Sequence, residues 1–254
     1  LTNRGVKELL VIAQDSSDYG HDLKGRPSLS SLLTRLSDTK RWLRVHYLYP
    51  SDEATKVVEL MAKGIVLPYL DVPFQHVNPT ILKAMKRPGN IEKTLRMIEK
   101  WRDICPDIAI RSTFIAGFPG ESQEQFNELL DFIKEAKLDR VGCFPYSDVD
   151  GATANSYLNP VDEQIREERA ALLMETQAEI SYQKLDERVG KEYQILIDYV
   201  SDDGIAVGRS KYESPDIDGV ITIENTKGLN PGDMVNAKII DHDEHDMKAE
   251  LVSV

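Results

Sequence analysis

The feature that most restricts this chain is a change of hydrophobic rhythm at Gly190. Before it, apolar β-branched runs of strand length alternate with segments whose apolar residues recur every three or four positions; after it, short alternating runs are separated by turn signals such as Asp202-Asp203-Gly204 and Asn230-Pro231-Gly232-Asp233. The first rhythm belongs to parallel βα units, the second to a small antiparallel sheet. Two folding units are therefore expected, and the boundaries read as 1–160, a bridge at 161–190, and 191–254.

In the first unit, strands are expected at 8–13, 43–48, 66–72, 109–116 and 140–145, with helices at 28–37, 52–63, 79–86, 91–103 and 121–137. The last helix shows its period best, with Phe126, Leu129, Leu130, Ile133 and Ala136 on one face. Right-handed crossovers wrap five such units into a partial barrel, short of the eight that close a full one. A long charged helix at 162–189, with Ile165, Leu172, Leu173, Ile180 and Leu185 as its buried stripe, ends at Gly190 and bridges the units. Beyond it, five short antiparallel strands at 193–200, 205–209, 220–224, 234–241 and 247–252 predict an OB-like barrel. The fold class is thus α/β, a partial (βα) barrel followed by a small all-β barrel. Because the chain opens on Leu1 and runs at once into a strand, it reads as a fragment with a further strand upstream.

Composition narrows the function. The 254 residues carry a net charge of −12, and no apolar run is long enough to span a bilayer. Two cysteines, Cys105 and Cys143, are too few for a disulfide framework and fit a reducing cytoplasm. Residues 191–254 hold six Lys and Arg against fourteen Asp and Glu, a net −8, which argues against a nucleic-acid grip and for a basic partner. The dense Asp241-His242-Asp243-Glu244-His245-Asp246 reads as a solvated hairpin loop rather than a metal site.

In parallel α/β folds ligands gather at the carboxyl ends of strands. Here those ends are polar or glycine-rich. Gln14 and Asp15 could cap the next segment or bind an amine and hydroxyls. Gly117, Pro119 and Gly120 could turn a strand into a helix or let a ligand approach the backbone. His46 and His76 have no Ser or Cys nucleophile at recognisable spacing, so no catalytic residue is assigned.

Together the strand ends are more specific. GVKELLVIAQDSSDYG, LRVHYLYP, LPYLDVPFQHVNPTILKAMKRPG, IRSTFIAGFPGE and DRVGCFPYSDVDGATA, with GRSKYESPDIDGV in the second unit, resemble the radical S-adenosylmethionine methylthiotransferases. The similarity is greatest to the branch that modifies an aspartate of small-subunit ribosomal protein S-twelve. The resemblance implies a partial radical-SAM barrel and a TRAM barrel. It also implies S-adenosylmethionine and two 4Fe-4S clusters as cofactors, an electron donor, and the ribosomal protein or subunit as partner, with a monomer sufficing. A 5′-deoxyadenosyl radical would take hydrogen from the target carbon, and a methylthio group would be delivered there. Carried over by position, Gln14, Asp15, Gln75, His76, Ile115, Ala116, Gly117 and Phe144 would surround the cofactor, and Arg44 and Arg111 would neutralise its carboxylate or the substrate aspartate. From the acidic charge of the second unit, and not from the resemblance, Asp216, Asp218 and Glu224 are expected to meet the basic substrate. The family holds its radical-forming cluster on a CxxxCxxC loop, and this chain has no such triplet. The alternatives are the branch that modifies an adenosine of transfer RNA, a non-catalytic ribosome-binding protein, and a barrel enzyme for a phosphorylated metabolite.

Overall fold

The computed structural model describes residues 2–224, 226 and 228–252. Five strands, β1 (Glu8–Val11), β2 (Trp42–Val45), β3 (Tyr69–Asp71), β4 (Ala109–Ala116) and β5 (Arg140–Pro145), form one sheet in sequential order with every neighbouring pair parallel. Each crossover therefore steps to the next strand in the same direction, the winding of an incomplete βα barrel. The second and third strands are shorter than expected. Tyr47 turns into the left-handed region at φ 55°, ending β2, and β3 begins only after Pro68, which has no N–H for a ladder.

Helices α1 (Leu29–Leu36), α2 (Asp52–Ala62), α3 (Pro79–Ala84), α4 (Ile91–Ile104) and α5 (Gln123–Ala136) lie between the strands. Ser28, Ser51, Asn78, Asn90 and Ser122 cap them, each side chain accepting an N–H of the first turn. Their apolar faces, with Leu33, Val57, Trp101, Phe126 and Ile133, close over Val45, Leu70, Ile110 and Phe114 in one continuous core. One face of the sheet is thereby sealed, and the other faces the barrel interior.

Helix α6 (Glu163–Asp186) corrects the expected stripe: Ile165 and Leu172 are exposed, and the buried face runs Arg166, Arg169, Ala170, Leu173, Gln177, Ile180, Ser181 and Leu185. Polar side chains can occupy that face because partners await them. Arg169 Nη1 donates to Glu121 Oε1 at 2.7 Å, Arg166 Nε to the Val161 carbonyl at 2.7 Å, and Gln177 Nε2 to the Leu138 carbonyl at 3.0 Å.

Strands β6 (Glu192–Val200), β7 (Ala206–Arg209), β8 (Ile221–Ile223), β9 (Met234–His242) and β10 (Met247–Leu251) close into a barrel in the order β10-β8-β7-β6-β9. Not every pair is antiparallel as expected: β10 and β8 run parallel. An odd number of strands cannot alternate direction all the way round a closed ring. The acidic stretch is the β9–β10 hairpin, where the Asp243 carboxylate accepts the N–H groups of His245 and Asp246. Among the described residues no helix is long and apolar enough to cross a membrane.

Candidate cofactor site at the mouth of the partial barrel

Strand register decides which side chains enter the barrel. In β4 the residues alternate: Ile110, Ser112, Phe114 and Ala116 are buried toward the helices, whereas Arg111, Thr113 and Ile115 are half-buried toward the interior. Parallel pairing carries this face across to Arg140, Gly142 and Phe144 on β5, to Tyr69 and Asp71 on β3, and to Arg44 and Leu10 on β2 and β1.

The amino-terminal half of that interior is a floor closed by the loop between β7 and β8. Arg44 is fully buried, donating from Nε to Glu8 Oε1 at 2.7 Å and from Nη1 to the Lys211 carbonyl at 3.2 Å, with its guanidinium over the Tyr69 ring. Arg111 Nη1 donates to Asp71 Oδ1 at 3.0 Å, and its Nε lies 4.0 Å from Asp218. Tyr69 Oη donates to Asp218 Oδ2 at 2.6 Å; burial first, then the Asp218 charge, pushes the phenol pKa well above its ordinary value. Glu213 is fully buried, held by Arg188 at 2.7 Å and Arg140 at 3.5 Å. Burial pushes its carboxyl pKa up, but the two guanidinium groups and the Ser210 hydrogen bonds outweigh this and hold it below the usual carboxylate range.

These contacts correct three expectations. Arg44 and Arg111 hold protein carboxylates rather than waiting for a cofactor or substrate, and Asp218 is withdrawn from the surface into the floor. Arg44 and Arg111 meet Glu8 and Asp71 on neighbouring strands, and Asp218 is carried inward because the fold inserts the GRSKYESPDIDGV segment into the barrel. Asp216, at φ 66°, and Glu224 remain exposed.

The carboxyl-terminal half is an open mouth. Ile12 is 62% exposed and Phe144 60%. Phe144 stands beside Ile115 in register, giving two apolar surfaces side by side. Ile12, Ala13, Gln14 and Tyr47 line a shallow hollow of about 450 Å³. Asp15 realises the capping reading, accepting the Ser17 N–H at 2.9 Å on Oδ1. Gln75, at φ 68°, donates its N–H to the Thr113 carbonyl and accepts the Ile115 N–H, so its peptide extends the sheet into the rim. Two residues other than glycine with positive φ, Tyr47 and Gln75, thus sit at adjacent strand ends, where backbone strain typically marks a ligand-facing position. Of the residues expected around the cofactor, Gln75, Ile115 and Phe144 are neighbours at this rim, and Gln14 and Asp15 follow the carboxyl end of β1 beside the hollow.

Residues 1–133 match the radical SAM superfamily and residues 189–252 the TRAM domain. The chain belongs to the radical SAM superfamily. It is 50% identical to the ribosomal protein uS12 methylthiotransferase RimO of Shewanella amazonensis, over 100% of this chain and 56% of that protein. It is likewise 50% identical to the protein of the same name from Aeromonas hydrophila, over 99% of this chain and 59% of that one. The chain thus spans well under two thirds of these curated relatives. Among solved structures, the radical SAM coproporphyrinogen III oxidase HemN of Escherichia coli aligns with a TM-score of 0.47 at 16% identity, covering 58% of this chain and 37% of that one.

The mouth fits the nucleoside and amino-acid parts of the superfamily's cofactor: apolar walls at Ile115 and Phe144 suit a flat ring, and the amide and carboxylate groups of Gln14, Gln75 and Asp15 suit hydroxyls and an amine. The iron-sulfur cluster does not fit. Cys105 lies in the helix-side core and Cys143 packs against it, so neither thiol faces the mouth. Among the described residues no three His, Cys, Asp or Glu side chains converge on a metal site.

Three other expected residues stand behind the mouth. His76 is 1% exposed; its Nδ1 accepts the Asn78 N–H at 3.0 Å, and its Nε2 lies 3.3 Å from Glu121, within ion-pair range but off the angle of a hydrogen bond. The Ala116 side chain is sealed among the helices, so that position can offer only its main chain. Gly117 is required by packing: at φ 75° its added Cβ would lie 2.5 Å from Arg166 Cγ, and its N–H is held by the buried Glu121 carboxylate at 3.1 Å. Sequence reading overlooked Tyr47 and Ile12. The alternation from Leu10 could have signalled Ile12, whereas nothing local marks Tyr47 as left-handed.

Proposed function

We propose that this chain forms the cofactor-binding barrel and TRAM barrel of a methylthiotransferase that modifies an aspartate of ribosomal protein uS12. The observation that carries the reading is identity of 50% to proteins of that name, continuous over both folding units. Bound S-adenosylmethionine would supply the hydrogen-abstracting chemistry. The chain's own residues position it. Ile115 and Phe144 flank the adenine, Gln14 and Gln75 meet polar groups of the cofactor, and the unused side of Asp15 faces its amine. Beneath them the ion pairs of the floor, Arg44 with Glu8 and Arg111 with Asp71, fix the strands that carry these residues.

The TRAM barrel offers charge to the substrate. Its net −8 suits a lysine- and arginine-rich ribosomal protein in the cytoplasm better than transfer RNA. Asp216 and Glu224 take the substrate-facing part of this role. Reversing both charges should weaken binding of purified uS12 severalfold at low salt, an effect that fades as salt rises.

Activity is tested on the full-length protein. It is reconstituted anaerobically with iron and sulfide, supplied with S-adenosylmethionine and a reductant, and incubated with purified uS12. Mass spectrometry should find one methylthio group on an aspartate. Modification of transfer RNA in place of uS12 would contradict the reading.

A further inference from the structure

Ser214, His46 and Asp71 stand in line across the boundary between the two domains. Ser214 Oγ lies 2.9 Å from His46 Nε2, and His46 Nδ1 lies 3.1 Å from Asp71 Oδ2. The order of groups is that of a hydrolytic triad, but all three side chains are buried, Ser214 to 1% exposure, and a nucleophile that no substrate can reach performs no chemistry. Their arrangement has a different outlet.

The same Asp71 Oδ2 that meets His46 also accepts the N–H of Tyr47 at 3.2 Å, while the Tyr47 carbonyl accepts the Ser16 N–H at 2.9 Å. Tyr47 is therefore clamped on both sides of its peptide in the left-handed region, where a residue with a β-carbon does not rest unaided. Its ring, 41% exposed, walls the hollow beside Ile12 and Gln14. Burial pushes the Asp71 pKa up, but the His46 ring, Arg111 and the Tyr47 N–H together outweigh it, so Asp71 stays a carboxylate. His46 Nδ1 then donates to Asp71, and His46 Nε2 and the Ser214 hydroxyl share the hydrogen bond on the other side of the ring. Ser214 is itself fixed from the TRAM side, its N–H donating to Asp218 Oδ2 at 2.8 Å.

We propose that Ser214 is a positioning residue that acts through His46 and Asp71 to hold Tyr47 in place, so that the TRAM domain shapes the cofactor hollow as well as offering a docking surface. The link to the cofactor rests on the mouth being the S-adenosylmethionine site; the link from Ser214 to Tyr47 does not.

The test compares Ser214→Ala, His46→Asn and the double variant with Ser201→Ala, which removes a hydroxyl from an exposed TRAM turn. The shorter amide side chain in His46→Asn retains an N–H for Asp71 while losing Ser214. Amide exchange followed by mass spectrometry should show protection at residues 46–49 falling about tenfold in each single variant and no further in the double one. S-adenosylmethionine affinity by calorimetry should fall in parallel, with Ser201→Ala altering neither. Unchanged protection at Tyr47 would overturn the proposal. So would faster exchange spread evenly over the chain in step with a lower melting temperature, which would make Ser214 an ordinary packing residue. If the parent binds no S-adenosylmethionine while Tyr47 still answers to Ser214, the cofactor reading fails and the positioning line stands.

Discussion

The floor and the mouth of the barrel are built by the same five strands and differ in almost everything else. In the floor, Glu8, Arg44, Asp71, Arg111, Arg140 and Glu213 are buried or nearly so, and each faces an opposite charge. At the mouth, Ile12 and Phe144 stand in solvent, and the backbone is strained at Tyr47 and Gln75. An inward-pointing arginine in a βα barrel is thus no sign of a ligand until the rest of the chain has been accounted for. Here Arg44 and Arg111 are held by Glu8 and Asp71 on neighbouring strands, and residues far along the chain, Arg209 against Glu8 and Asp218 near Arg111, complete the pairing. The ligand signal lies where apolar surface and backbone strain go unanswered.

The sharpest way to break this contrast is at Glu213. Removing its carboxylate by Glu213→Ala leaves Arg140 and Arg188 buried without a counter-charge, which should cost about 3–5 kcal/mol in urea unfolding. A loss below about 1 kcal/mol would mean that the floor is wet and its charges solvated. Next comes Gly117→Val, which should cost about 2–4 kcal/mol through the clash with Arg166 and the left-handed backbone. It should lower the melting temperature of the cofactor-free protein, so its effect belongs to folding and not to ligand approach.

Acid probes the same floor. The folded pKa values of Asp71 and Glu213 lie below their ordinary 3.8 and 4.5, so their contribution is fully present above those values and is lost as pH falls through the lower folded ones. Thermal stability should therefore show no loss from these groups between about pH 8 and pH 5, and should fall below about pH 4. A decline beginning near pH 6 would place the titrating group elsewhere. The smallest effect on stability is expected at the mouth. Phe144→Ala should change unfolding free energy by no more than about 0.5 kcal/mol while weakening S-adenosylmethionine binding about fivefold or more in calorimetry.

Much of this architecture is legible in the sequence where a short window contains the whole cause. The period of Phe126, Leu129, Leu130 and Ile133 gives α5, and the turn signals after Gly190 give the small barrel. What is not legible depends on distant partners. A window around His46 contains no sign of Ser214, which lies 168 positions away. A hydrophobic stripe drawn through α6 misses Arg166, Arg169 and Gln177 because their burial depends on Glu121 and carbonyl groups that only the fold brings near. Gly117 looks like a ligand glycine for the same reason. The helix it accommodates starts 46 residues later, at Glu163. Gln14, Gln75, Ile115 and Phe144 are picked out by the rule that ligands gather at strand carboxyl ends, and the fold places each of them at or just beyond such an end.

The division into ion-paired floor and apolar mouth is most directly tested by photolabelling. An 8-azido analogue of S-adenosylmethionine, photolysed on the protein and mapped by mass spectrometry, should attach at the mouth, in peptides containing Ile12 to Asp15, Gln75, Ile115 or Phe144. Adducts on Arg44, Arg111 or the 209–218 loop would place the cofactor in the floor and contradict the account.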